Sequence, residues 1–174
     1  METRRVFAKS IQLGSIQGNL VDRKIKWQRQ TNSTIVLNVD GAFTGNHSTA
    51  GRGAVLRDHK GNWMEATKGI LDMEIQSDSK ELTKCLNENS RGGNNMGQLG
   101  IKCRDLIRKS GNSSLVHIFR EQNTVVDYLA KHGCNSREIM TLFVSPPPGC
   151  INFVYNDQLG AVCDRLILET LFCL

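Results

Sequence analysis

The chain has 174 residues, 39% of them hydrophobic, which suits one domain with tails and a core of its own. No window supplies the ~18 apolar residues of a membrane span, so a soluble chain is expected. Its six cysteines form no Cys-x-x-Cys pair and no apolar secretory leader precedes them, so reduced thiols are expected in an intracellular protein, in nucleus or cytoplasm ahead of an organelle.

The formal charge of +5 is unevenly placed. Residues 1–30 carry Arg4, Arg5, Lys9, Arg23, Lys24, Lys26 and Arg29 against Glu2 and Asp22, and the rest of the chain balances to zero. This stretch reads as a solvated linker first, with a phosphate-binding arm and an organelle-targeting segment as alternatives. The expected division is therefore a basic segment 1–30, a domain 31–133 and a C-terminal extension 134–174.

In chain order, "STIVLNVDGAFTGN" supplies Ile35, Val36, Leu37 and Val39, an apolar run of the kind buried on both faces of a sheet, ending at Asp40. Asp-Gly is also a turn dipeptide, so Asp40 is either a turn residue or a carboxylate held at a strand end. "GAVLRDHKGNWMEATKG" reads as two strands, about 53–58 and 62–68, joined at His59-Lys60-Gly61-Asn62, with Trp63 as a core residue. A strand near 71–77 precedes a helix that Asp78 or Ser79 can cap, with Leu82, Cys85 and Leu86 on its apolar face. After "RGGNNMG", Leu99, Cys103, Leu106 and Ile107 mark the inward face of a second helix. "SSLVHIFR" is a short strand in which His117 reads as a structural histidine. "NTVVDYLAKHG" is a helix capped by Asn123 and ended by Gly133, with Val126, Leu129 and Ala130 inward. "VSPPPG" interrupts regular structure, and the last 25 residues add a strand or a short amphipathic helix.

Three acids recur at strand ends. Asp40 and Asp78 each close an apolar strand, and Asp127 flanks the buried stripe of a helix that follows another. Taken singly they read as a turn residue, a helix cap and a solvated edge charge. Taken together, carboxylates at strand ends line the crevice where open α/β sheets place ligands. Clustered carboxylates repel, and hard oxygen ligands suit Mg²⁺ or Mn²⁺.

"LNVDGAFTGN…AGRGAVLRDHKGNW", "EIQSDSKEL" and "VHIFREQNTVVDYLAKHG" together resemble the ribonuclease H-like family, in its plant reverse-transcriptase-like branch, over residues 27–133. The resemblance implies a five-stranded mixed α/β sheet, three antiparallel strands first, flanked by helices. It implies two-metal, endonucleolytic hydrolysis of the RNA strand of an RNA·DNA hybrid by four acids. By motif, the first, third and fourth of these are Asp40, Asp78 and Asp127, as catalytic residues and metal ligands. Thr44, Gly45, Asn46, Arg120 and Asn123 resemble the positions that touch substrate.

The second acid, a Glu, sits in the family on a helix between the third and fourth strands, and here "NWMEATKG" runs almost directly into "ILDMEIQSDS". About 20–30 residues are missing, and neither Glu65 nor Glu74 stands where that helix would place its acid. One of the two ions is expected to be retained, the sheet is expected to be open on one side unless the C-terminal segment covers it, and hydrolysis is expected to be impaired. The alternatives are an inactive nucleic-acid-binding remnant and a truncated product.

Overall fold

The structure, a computed structural model, describes residues 10–13, 16–45, 49–65, 72–88, 97–136 and 138–170. Along the chain run β1 (Ser10–Leu13), β2 (Ile16–Ile25), β3 (Ile35–Thr44), β4 (Thr49–Arg57), β5 (Trp63–Met64) and β6 (Met73–Ser77). They are followed by α1 (Lys80–Asn87), α2 (Gly97–Lys109), β7 (Ser114–His117), α3 (Thr124–Asn135), α4 (Ile151–Leu159) and β8 (Cys163–Thr170). The chain divides into two units, Met1–Lys26 with Val162–Leu174, and Trp27–Ala161.

The smaller unit is a three-stranded antiparallel sheet in the order β1-β2-β8, with Ile25 paired to Cys163 and Gly18 to Thr170. Within the basic N-terminal segment, then, residues 16–25 are strand. Lys24 meets Asp164 at 2.9 Å across this sheet, an exposed pair of small energetic weight.

The larger unit holds a five-stranded mixed sheet in the order β5-β4-β3-β6-β7. β3, β4 and β5 are antiparallel neighbours, and β6 and β7 run parallel to β3. The β4–β5 turn is built by Asp58, whose carboxylate accepts the amides of Lys60 and Asn62 at 2.9 Å each and the Asn62 side chain at 2.7 Å. Gly61 there has φ +89°, a conformation that L side chains rarely adopt, and a Cβ on it would stand 2.9 Å from the Trp27 ring.

Strand alternation puts Val36, Asn38 and Asp40 on the same face as their β4 partners Arg57, Val55 and Gly53. Helix α3 lies on that face and approaches so closely that a Cβ on Gly53 would meet the Val126 carbonyl at 2.6 Å. The core there joins Val55, Val125, Val126 and Leu129 to Cys150 and Val154, with Trp63 packed against them as expected. Burial pushes the Cys150 thiol up, so this cysteine packs as a small apolar side chain.

The C-terminal residues 150–157 thus add to the face that α3 already covers. On the opposite face Ile35, Leu37, Val39 and Leu56 are half-buried and Phe43 is 68% exposed. The apolar run of β3 is therefore enclosed more fully on one side, and among the described residues of the larger unit α4 adds to that same side. Helix α2 also departs from expectation. Its intended inward residues Leu99 and Leu106 are each 66% exposed, because no described element lies over them. It is tied to α1 by Arg104, which donates to the Cys85 carbonyl at 3.0 Å.

Gly53→Ala should destabilise the larger unit by about 1–3 kcal/mol, since backbone stands where the methyl would go. Thermal unfolding followed by circular dichroism checks this.

Candidate functional site

Asp40 is not a turn residue. β3 continues to Thr44, and Asp40 pairs with Gly53 in the middle of the β3–β4 ladder. Because β6 runs parallel to β3 with Asn38 opposite Gln76, the next position of the same parity brings Asp78 level with Asp40. The third acid arrives from α3, with Asp127 in its first turn. The three carboxylates are near enough to act on one another. Burial raises the Asp40 carboxyl above its ordinary value, and the charges of Asp78 and Asp127 raise it further, while the Gly41 amide and Arg120 oppose them.

Each carboxylate already has protein partners. Asp40 Oδ1 accepts the Gly41 amide at 2.8 Å, and Asp78 Oδ1 accepts Asn123 Nδ2 at 3.1 Å. Asp127 spends both oxygens on cations, Oδ1 on Arg120 at 3.3 Å and Oδ2 on Lys131 at 2.5 Å. Helix α1 is capped by Ser79, whose hydroxyl accepts the Leu82 amide at 3.2 Å, so Asp78 is left to the site.

Among the described residues, no three His, Cys, Asp or Glu side chains are grouped so as to hold a metal ion. With Asp127 engaged twice over, this donor set does not fit a pair of ions. The other acids do not complete it. Glu74 lies four residues before Asp78, roughly 13 Å along β6, and accepts hydrogen bonds from Gln30 and Gln76. Glu65 is exposed, just beyond the last paired residue of β5 and two strands away from β3.

The expected substrate-side residues separate into groups. Asn123 is 1% exposed and is bound on both ends of its amide, so it faces the protein. Nor does it cap α3 with its side chain, which reaches the Val39 carbonyl at 3.2 Å as well as Asp78. Arg120 is exposed beside Asp127. Thr44 bonds Thr49 across the hairpin, with 2.6 Å between hydroxyls, and Gly45 has open space around it, both about four strand residues from Asp40. Asn46 lies outside the described residues. His117 is exposed at the end of β7, edge-on to Phe119 with ring centroids 6.1 Å apart.

Behind the carboxylates lies a buried polar cluster that sequence reading did not find. Arg57, fully buried, donates to Asn38 Oδ1 from Nε at 3.0 Å and from Nη2 at 2.7 Å, and to Asp157 at 2.5 Å. The Trp27 ring lies 4.2 Å from its guanidinium carbon. Asn38 in turn donates to Gln76 at 2.8 Å and to Asn123 at 3.2 Å. Burial pushes Arg57 down and Asp157 up, and each charge pulls the other back. The available signal was Asn38 itself, an amide at the centre of an apolar strand.

Residues 66–133 match a family model described as reverse transcriptase-like. Over this segment the chain is similar to that family. A relative in Arabidopsis thaliana, named "Putative ribonuclease H protein", is 23% identical over 96% of this chain, which spans 31% of that relative's length. Among solved structures, LC11-RNase H1, isolated from compost by a metagenomic approach, is 23% identical, with TM-score 0.47 over 59% of this chain and 96% of that one. LC11-RNase H1 in complex with an RNA/DNA hybrid is 19% identical, with TM-score 0.45 over 59% of this chain and 97% of that one.

Ionised Asp40 costs the larger unit stability, because its carboxyl is raised on folding. That cost is complete above the folded value and disappears below the unfolded one, near 3.9. Asp40→Asn should therefore raise the melting temperature at pH 7 in the presence of a chelator. The gain should shrink as the pH is lowered toward 4, as read by calorimetry across pH.

Proposed function

We propose that the chain is a ribonuclease H-like nucleic-acid-binding domain that engages an RNA·DNA hybrid or RNA, and whose metal-dependent hydrolysis of the RNA strand is impaired. One observation carries this reading. Asp40, Asp78 and Asp127 gather at the centre of the mixed sheet, while only the eight residues 65–72 join β5 to β6. Parallel strands joined through a helix use a dozen residues or more, so a helix bearing a fourth acid has no room there.

Lacking that acid, the site holds three carboxylates, one of them neutralised by Arg120 and Lys131. Precise placement of the reacting groups is what such chemistry requires, and the side chains present supply it only in part. Binding makes smaller demands. The positive charge of residues 1–30 favours a phosphate backbone through counterion release, and Arg120 stands exposed at the site edge.

The test is incubation of the purified chain with a labelled RNA·DNA hybrid and Mg²⁺ or Mn²⁺, alongside Asp40→Asn, with cleavage and mobility shift read on paired gels. A shift that weakens as salt rises, with little or no cleavage, is the expected result. Cleavage at the rate of an ordinary ribonuclease H, lost in Asp40→Asn, overturns the impairment. No shift at low salt overturns the binding role.

A further inference from the structure

The buried cluster has a direction. A guanidinium can only donate hydrogen bonds. Arg57 gives two of its N–H groups to Asn38 Oδ1, at 3.0 and 2.7 Å, and this fixes which end of the Asn38 amide faces it. The Asn38 NH₂ is then turned the other way, toward Gln76 Oε1 at 2.8 Å and Asn123 Oδ1 at 3.2 Å. With its oxygen committed to Asn38, Asn123 can present only its NH₂ on the far side. There it meets the Val39 carbonyl at 3.2 Å and Asp78 Oδ1 at 3.1 Å. A reversed Asn123 would set an oxygen against the Asp78 carboxylate.

We propose that Asp157, on α4 and outside the matched segment 66–133, is a positioning residue for Asp78, acting through Arg57, Asn38 and Asn123 to fix the direction in which the Asn123 amide donates. Asp157 does this by holding the Arg57 guanidinium in place at 2.5 Å in a site where both side chains are buried. Arg57, Asn38 and Asn123 are each at most 1% exposed, so water offers no alternative partner that would let an amide turn. The C-terminal helix therefore governs a carboxylate at the centre of the sheet. This inference rests on the reading of Asp78 as a site carboxylate, but its test does not require the domain to cleave anything.

Asp157→Asn alone leaves a buried cation without its countercharge, and loss of folding there would be uninformative about direction. The informative variant is the double substitution Arg57→Met with Asp157→Leu, since apolar replacement of a buried ion pair is often tolerated. A second is Asn38→Asp, which keeps an acceptor for Arg57 and removes the N–H that faces Asn123. The readout is the Asn123 side-chain amide in ¹⁵N-labelled protein, assigned by its loss in Asn123→Ser.

In the parent chain this amide should exchange its hydrogens slowly. In both variants, with the fold retained by circular dichroism, exchange should quicken about tenfold, the loss of one net hydrogen bond. Unchanged exchange in a folded double variant overturns the proposal. So does a double variant that unfolds as readily as Asp157→Asn, because the pair would then act through packing alone. If the domain cleaves a hybrid, kcat should also fall about ten- to a hundredfold in the folded variants, with KM unchanged. A domain that shows no cleavage still gives the amide result, so failure of the functional reading and failure of this inference are told apart.

Discussion

A fully buried guanidinium is costly unless every donor finds an acceptor and its charge finds a countercharge. Each guanidinium nitrogen of Arg57 has an acceptor, and the cluster joins four separate parts of the larger unit. Asn38 comes from the neighbouring strand, Asp157 from α4, the Trp27 ring from the segment before β3, and Arg57 itself from the end of β4. None of these can shift register without stranding the charge. The ion pair thus does less as a source of net stability than as a condition that the correct assembly alone satisfies, the role in which buried polar groups are best attested.

That condition explains why the two faces of the sheet differ so much. On the face of Arg57 and Asn38, α3 comes down onto two glycines of β4 and α4 closes the remaining space, leaving Val36, Val125 and Val126 without exposed surface. The other face carries Leu37, Val39 and Leu56 only half-covered, and α2 beside α1 leaves Leu99 and Leu106 in the open. The face organised by the buried network is thus well packed, while the opposite one is thinly clad.

Period and turn chemistry made much of this readable in the sequence. The strands around Val36, Val55 and Ile75, the helix carrying Val126, Leu129 and Ala130, and the meeting of Asp40 with Asp78 and Asp127 all follow from alternation, from helical spacing and from motifs in family order. What could not be read has a common cause. Asn123 looked like a helix cap or a substrate contact because its partners, Asp78 and Asn38, are 45 and 85 residues away in sequence. Arg57 carries no sign of its burial in the sequence, because its partner Asp157 is 100 residues distant. Leu99 and Leu106 had correct helical spacing for burial, but periodicity cannot say whether a neighbour exists. Residues 16–25 looked like a linker because their charges obscured a strand whose partner comes only at Cys163–Thr170.

That last pairing bears on the order of assembly. Strand β2 is made before the larger unit, yet its hydrogen bonds to β8 wait until Thr170 has been made, whereas the larger unit is complete at Ala161. Pairing across so great a sequence separation is slow, because the intervening chain must be ordered before the contact gains anything. The larger unit is therefore placed to fold before β2 and β8 pair. During that interval β2 presents an unpaired edge, and its own Arg23 and Lys24 are residues of the kind that keep such an edge from joining a neighbouring chain.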